Sequence, residues 1–109
     1  MSQFDVYRNT GRHKNTIPFV VVVQSSLFNR YRRRVVVTMV RSSEIRDTAL
    51  AQGSRMNPIF VVEEIEVVLH PLEIVSVAVD ELGERVTSLD DRGSDIADAL
   101  DEMLTRSWS

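Results

Sequence analysis

The sequence predicts a mainly β protein that ends in one helix. Runs rich in Val and Ile recur at short spacing between residues 19 and 79, and turn residues separate them. A helical apolar periodicity appears only after residue 88. Because no segment between the runs reads as a helical crossover, we expect an antiparallel sheet or a partly open barrel capped by the C-terminal helix.

The chain of 109 residues is expected to form a single domain over residues 1–109. It has no cysteine, which excludes disulfides and thiolate metal ligands. Its first residues lack the basic and apolar regions of a secretory signal, and no apolar run approaches the roughly 20 residues that a membrane span needs. We therefore expect a cytoplasmic protein that does not enter a membrane.

The net charge of −3 conceals an uneven distribution. Residues 1–55 contain ten Lys or Arg and three Asp or Glu, whereas residues 56–109 contain three and thirteen. Basic and acidic strands that interleave in one surface would neutralise each other, which is the interpretation we favour. The alternative is a dipolar surface that steers a charged partner.

The first half of the chain is predicted to contain three strands. Residues 3–7 alternate apolar and polar side chains, and a basic loop with turn residues follows at residues 8–16. Residues 19–24 form a continuous β-branched run, which is typical of a central strand buried on both faces. A connection at residues 25–31 leads to the third strand at residues 35–40.

The second half is predicted to add three more strands. Residues 41–50 have room for one or two helical turns. Residues 59–70 read as a hairpin with two glutamates at its turn. Residues 71–73 interrupt the pattern, and residues 74–80 form the last strand.

The C-terminal helix is predicted to begin at Ser88, a hydroxyl residue followed by acids that suit the helix dipole. Gly93 costs a helix about 1 kcal/mol, so Ser94 is an alternative start. The apolar side of this helix is expected to comprise Leu89, Ile96, Ala99, Leu100, Met103 and Leu104. A polar tail that carries the only tryptophan, Trp108, follows.

No catalytic or metal-binding constellation is recognisable in the sequence. His13 in the basic loop and His70 at a strand end have no companion ligands at metal-site spacing. A Gly-rich phosphate loop and a nucleophile elbow are both absent. We expect a protein that is not an enzyme and that needs no cofactor.

Three consecutive arginines, Arg32, Arg33 and Arg34, precede the third strand. Arginines beside the ring of Tyr31 suggest contact with nucleic acid. Charges at a strand entry also protect a sheet edge from pairing. The sequence favours this second interpretation.

Nearly the whole chain resembles one family of bacterial proteins. The order and spacing of several segments carry the resemblance, which rests on residues 3–7, 19–25, 33–37, 76–79, 82–86 and 95–100 with Leu89, Arg92 and Met103. This pattern is similar to that of the CcdB family, small toxins that inhibit DNA gyrase.

The resemblance implies an SH3-like, partly open antiparallel barrel of the CcdB/MazF kind, with a small extra sheet and one C-terminal α-helix. It also implies a twofold homodimer that binds the DNA gyrase A subunit and poisons the gyrase–DNA complex. A CcdA-type antitoxin would neutralise the toxin, and operator DNA would be bound only together with that antitoxin.

The chain departs from the family at the C-terminus, which the resemblance assigns to gyrase binding. Family members end with Met, an aromatic residue and Trp-Gly-Ile, whereas Met103 is followed here by Leu104 and Thr105. The only tryptophan, Trp108, comes three residues after Thr105, the position of the family tryptophan. In one interpretation Trp108 replaces the family tryptophan as an anchor. In the other it packs on its own helix or on the second subunit of the dimer, and the protein no longer poisons gyrase. The residues that the resemblance assigns to gyrase binding are Thr105, Arg106, Ser107, Trp108 and Ser109.

Two other functions are compatible with the sequence. One is an endoribonuclease toxin like MazF and Kid, in which arginines of residues 8–14 and 30–34 would face RNA phosphates. The other is a gyrase-inactive homologue retained for antitoxin binding and operon repression. For the antitoxin, the positive charge of the first half predicts contact by Arg8, Arg12, Lys14, Arg41 and Arg46.

Overall fold

Six antiparallel strands form one curled sheet. The computed structural model describes residues 1–106, and its strands are β1 (Asp5–Arg8), β2 (Phe19–Val22), β3 (Arg33–Arg41), β4 (Ile59–Val62), β5 (Ile65–Ala78) and β6 (Arg85–Ser88). Their order is β4-β5-β3-β2-β1-β6, so β4 and β6 are the edges. The sheet makes a nearly closed barrel, which confirms the predicted mainly β fold with one C-terminal helix.

The helical segments connect the strands and follow the last of them. They are α1 (Thr48–Ala51), α2 (Gly93–Asp101), the 3₁₀ turns Ser26–Phe28, Ser42–Glu44, Val79–Glu81 and Asp90–Arg92, and the π-helical segment Glu102–Arg106. The first of the two α-helices falls where one or two helical turns were predicted. Asp47 caps it by accepting the backbone N–H groups of Ala49 and Leu50.

Two clusters of buried side chains cover the two faces of the sheet, because strand residues alternate between faces. The larger cluster lies inside the barrel and includes Val6, Val21, Val37, Met39, Leu69 and, from α2, Ile96. The smaller cluster lies on the outer face and comprises Tyr7, Val20, Val22 and Val36. Both faces of β2 are therefore buried, as its continuous β-branched run predicted.

Strand β5 is a single long strand with a bulge. Its pairing with β3 shifts register between Val37, which lies opposite Ile74, and Thr38, which lies opposite His70. The extra residues are 71–73, where an interruption was predicted. The two strands predicted on either side are halves of one strand. All six strands of the described residues belong to one sheet, so the separate small sheet implied by the resemblance is not found within residues 1–106.

Strand β6 is missing from the sequence prediction. Its only large apolar side chain is Val86, so the segment has almost no periodicity to detect. Pairing with β1 defines it instead. Arg85 of this strand also reaches the buried carboxylate of Asp5, with Nε and Oδ2 3.2 Å apart.

Helix α2 begins at Gly93, between the two starts that the sequence predicted. The Ser88 hydroxyl instead accepts the N–H of Asp90 in the preceding 3₁₀ turn, at 3.1 Å. The ring of Phe4 packs directly on Gly93, and a Cβ atom there would lie 2.6 Å from its Cε2. Close packing therefore requires a glycine that helix propensity alone disfavours.

Arg92 seats α2 against the edge strand β4. Its NH1 donates to the carbonyl oxygen of Ile59 at 3.1 Å, and its Cζ lies 4.2 Å from the ring centroid of Phe60. Its Nε donates to Asp95 at 2.8 Å. These contacts fix the first turn of the helix relative to the open side of the barrel.

Candidate functional site

The loop between β2 and β3 presents three large apolar side chains to solvent, which we call the loop surface (Leu27, Phe28 and Tyr31). Leu27 is 84% exposed, and Phe28 and Tyr31 are about half exposed. The two rings lie 6.4 Å apart between centroids and line a surface cavity of about 480 Å³. Clustered exposed apolar side chains are typical of a protein-binding site. From the sequence, this segment is predicted only as a connection between strands.

The arginines beside the loop surface do not assemble into one basic cluster. Arg30 lies over the ring of Tyr31, with its Cζ 5.0 Å from the centroid. Arg32 lies 3.4 Å from an aspartate carboxylate. Arg33 donates to the hydroxyl and carbonyl oxygens of Ser76, at 2.8 and 2.7 Å. Separate intramolecular contacts engage these cations, which weakens the interpretation as a nucleic-acid site.

Arg34 is buried beneath the loop, with only 6% of its surface exposed. Its NH2 donates to the carbonyl of Asn29 at 3.1 Å, and its NH1 donates to the carbonyls of Tyr31 and Arg33. Its Nε lies 3.2 Å from Sδ of Met1. None of the salt bridges within residues 1–106 involves Arg34. Two carbonyls of the loop and the carbonyl at the start of β3 are therefore the oxygen acceptors of this buried cation.

Gln24 supports the same loop from its start. Its Nε2 donates to the carbonyls of Phe28 at 3.4 Å and Arg33 at 3.2 Å, and its Oε1 accepts the N–H of Val35 at 3.1 Å. The loop surface is thus held by buried and half-buried groups before any partner binds. Such preorganisation lowers the entropic cost of binding.

The residues predicted to contact an antitoxin lie mainly around one loop. Arg8 ends β1, Arg12 and Lys14 are exposed in the loop that follows, Arg41 ends β3, and Arg46 is exposed shortly before α1. Arg41 is tied to that loop because its Nε donates to the carbonyl of Asn15 at 3.0 Å. The structure therefore brings Arg41 to the loop that carries Arg12 and Lys14.

Arg8 is already engaged in ion pairs. Its NH1 and NH2 donate to the Glu63 carboxylate at 2.8 and 2.6 Å, and its Nε lies 3.3 Å from Glu84. Hydrogen bonding to Glu63 raises the pKa of Arg8, and the same bonds lower the pKa of Glu63. The charge of Arg8 is compensated locally, so Arg12 and Lys14 offer the more available cations.

The hairpin turn that carries Glu63 has an unusual backbone. Glu63 and Glu64 both adopt positive φ, at 51° and 65°. Two-residue turns between antiparallel strands need this conformation, but Asn and Gly usually supply it. Glutamate adopts positive φ only at an energetic cost. In this turn, Glu63 has that conformation and also contacts Arg8.

Of the residues assigned to gyrase binding, the structure describes the side chain of Thr105 and the backbone of Arg106. Thr105 is exposed, and its hydroxyl donates to the carbonyl of Asp101 at 2.6 Å. Ser107, Trp108 and Ser109 lie outside the described residues. Both interpretations of the tryptophan therefore stay predictions.

The predicted apolar side of the helix is wrong at Leu104, which is 65% exposed. Ile96 and Ala99 are buried as expected, and Leu100 packs on the core. The physical reason is the change from α- to π-helix at Glu102. A π-helix has more residues per turn, so it rotates the apolar stripe away from the core.

No metal centre is formed by the described part of the chain, where no group of three His, Cys, Asp or Glu side chains converges. His13 is exposed, and the imidazole of His70 lies 3.8 Å from Glu73. Within residues 1–106, no helix is both long enough and apolar enough to cross a bilayer.

Comparison with family models matches the CcdB protein family over residues 3–105. The chain belongs to the CcdB family. Members of this family are toxins of toxin–antitoxin systems. The resemblance seen in the sequence is therefore confirmed over nearly the whole length of this CcdB-family toxin.

Among solved structures, the CcdB-family chain is similar to an endoribonuclease in complex with its cognate antitoxin from Mycobacterial species. The TM-score is 0.73 at 17% sequence identity, and the match covers 100% of this chain and 99% of that chain. At this identity the likeness shows the fold alone. A search of curated protein sequences found no match.

Proposed function

We propose that this CcdB-family toxin acts by binding the DNA gyrase A subunit and poisoning the gyrase–DNA complex. The observation that carries the proposal is the preformed loop surface, in which Leu27, Phe28 and Tyr31 are exposed. Aromatic and aliphatic anchors on a rigid support favour binding to a protein partner.

The proposed target site combines the loop surface with the C-terminal residues. Thr105 is exposed, and Arg106 follows it in the π-helical segment. Segments of π-helix occur often at functional sites. The site as proposed also includes Ser107, Trp108 and Ser109, which the family resemblance assigns to it.

A CcdA-type antitoxin is proposed to bind the basic side of the molecule. Arg12, Lys14 and Arg46 are exposed, and Arg41 lies beside the same loop. Complementary charge accelerates association with an acidic partner. The proposal further comprises a cytoplasmic homodimer that is not an enzyme and that binds operator DNA only together with the antitoxin.

Expression in bacteria tests the proposed function. Without antitoxin, the chain should arrest growth and accumulate cleaved gyrase–DNA complexes, and co-expression of the antitoxin should prevent both effects. Normal growth with full-length, folded protein would contradict gyrase poisoning. Antitoxin binding without arrest would instead identify a gyrase-inactive homologue retained for partner binding, the alternative that the displaced tryptophan suggests.

A second candidate is RNA cleavage, because the similar solved structure is an endoribonuclease. Arg8 hydrogen-bonds to Glu63, so an arginine lies beside a carboxylate of the type that acts as a general base. Hydrogen bonding to Arg8 lowers the pKa of Glu63, which makes its carboxylate a weaker base than an ordinary glutamate and argues against this candidate. Purified protein should leave RNA intact at stoichiometric amounts, whereas cleavage that Glu63→Gln abolishes would establish the endoribonuclease.

A further inference from the structure

We infer that Arg34 is a positioning residue of the proposed target site: its buried guanidinium fixes the loop in the conformation that exposes Leu27, Phe28 and Tyr31. The consequence for binding rests on the proposed function. The consequence for the loop itself does not, because it follows from the contacts of the free protein.

Arg34 carries a positive charge that is almost wholly buried. A charge removed from water is costly unless hydrogen bonds replace its hydration. Arg34 has no carboxylate partner within residues 1–106, so the carbonyl groups of Asn29, Tyr31 and Arg33 supply that replacement. Any loop conformation that withdraws these carbonyls leaves the guanidinium without acceptors, and the observed conformation is stabilised accordingly.

The planar shape of the Arg34 guanidinium also contributes to holding the loop. A guanidinium directs several N–H donors in fixed, divergent directions, whereas a lysine ammonium is a compact charge on a flexible stem. NH1 and NH2 of Arg34 reach the carbonyls of Asn29 and Tyr31 in the loop and that of Arg33 at the start of β3. Lysine at this position would keep the charge and lose the arrangement.

The loop carbonyls bound by Arg34 belong to the same backbone segment as the exposed rings. Two of the Arg34 acceptors lie at the loop surface. Asn29 directly follows Phe28, and Tyr31 is itself part of the loop surface. The N–H of Tyr31 in turn donates to the carbonyl of Phe28 at 3.1 Å, so the two rings share one hydrogen-bonded backbone segment. Fixing that segment therefore fixes the backbone positions from which the two rings project.

A matched pair of variants tests the inference in the full-length protein. Arg34→Met and Arg33→Met each remove one positive charge and keep an unbranched stem. The guanidinium of Arg33 bonds to Ser76 on β5, outside the loop. Amide hydrogen exchange at residues 27–33 and affinity for the gyrase A dimerisation region are measured for both variants.

Arg34→Met should speed exchange in the loop and weaken target binding, each by about tenfold or more, while β2 and β3 stay protected. Arg33→Met should change loop exchange by no more than about twofold. Its side chain lines the cavity beside Phe28 and Tyr31, so loop exchange and not affinity is the control measurement. Equally faster exchange in the two variants would show that charge matters rather than the carbonyl contacts, and would overturn the inference. Unchanged loop exchange in folded Arg34→Met would overturn it as well.

If Arg34→Met does not fold, Arg34→Lys replaces it in the same measurements. Arg34→Lys should fold with an intact core and still show faster loop exchange than the wild type. Exchange and affinity equal to those of the wild type would contradict the inference. If the unmodified protein does not bind gyrase, the proposed function fails. The exchange measurement then still decides whether Arg34 holds the loop.

Discussion

Arg8 on β1 and Glu63 in the turn between β4 and β5 form a bidentate ion pair, with N–O distances of 2.8 and 2.6 Å. Strand β1 is not a sheet neighbour of β4 or β5, so the pair joins distant parts of the barrel. It also holds a turn whose two glutamates have positive φ. The pair therefore opposes opening of this hairpin.

This ion pair should make stability depend on pH in acid. Arg8 lowers the pKa of Glu63 in the folded protein, so its contribution is fully present above the ordinary glutamate pKa. The contribution is lost as pH falls through the lowered folded-state pKa. Thermal unfolding of wild type and Glu63→Gln should differ at neutral pH and converge in acid. A difference that stays constant over the whole range would contradict this assignment.

Gly93→Ala should destabilise the protein although alanine favours helices. The new Cβ would lie 2.6 Å from Cε2 of Phe4, too close for both groups to stay in place. Overpacking costs about 1–3 kcal/mol, against a propensity gain of about 1 kcal/mol. Denaturant unfolding measures the net effect. Ser94→Ala, at the exposed next position, is the control and should be nearly neutral or slightly stabilising.

Reversing the charges of Arg12 and Lys14 to Glu should slow association with the antitoxin and reduce its salt dependence. Both side chains are exposed, and loss of complementary charge acts mainly on the association rate. Arg8→Glu, in contrast, should mainly lower stability, because it faces Glu63 and Glu84. Arg30→Glu, in the loop between β2 and β3, is the control. Unchanged rates after reversal of Arg12 and Lys14 would remove these residues from the proposed contact.

Truncation of the loop surface should reduce target binding and leave folding intact. Leu27→Ala and Phe28→Ala should each weaken binding to gyrase A by about 1–2 kcal/mol or more, as anchors of an interface do. Leu27 is almost fully exposed, so unfolding should change little. Val61→Ala on the edge strand is a matched control, since Val61 is 68% exposed. Equal effects of Leu27 and Val61 would show that exposure alone does not define the site.

Trp108→Ala should weaken gyrase binding by roughly 2 kcal/mol or more if the tryptophan has taken over the role of the family anchor. Thermal unfolding should then be unchanged. If the ring packs on its own helix or dimer mate, truncation should lower the melting temperature while binding persists. That second result would transfer the proposed contact to Thr105, Arg106 and Ser107.

The predictable elements are those that side-chain periodicity defines locally. The β-branched run of β2 indicates a strand buried on both faces, and the structure confirms it. Strand β6 lacks such a pattern, because pairing with β1 defines it. The need for glycine at the first residue of α2 comes from packing against Phe4, which is distant in the sequence. Periodicity contains no information about such contacts.

The candidate site was less predictable for the same reason. A count of charges does not reveal that Arg8 is paired with Glu63, or that Arg34 turns inward to loop carbonyls. Apolar residues in a connection can equally be buried, so only the structure distinguishes Leu27 as exposed. The prediction that Leu104 is buried requires an α-helix that continues unchanged to that residue. The π-helical segment Glu102–Arg106 changes the direction in which the Leu104 side chain points.

The contact of Arg92 with β4 has a consequence beyond seating the helix. An edge strand with open peptide groups is a template on which another polypeptide can add a strand and begin to aggregate. At this edge, Arg92 donates a hydrogen bond to the carbonyl oxygen of Ile59, and its guanidinium lies over the ring of Phe60. A molecule whose terminal helix came loose would therefore lose its protection against amyloid-like pairing along with the geometry of its C-terminal segment.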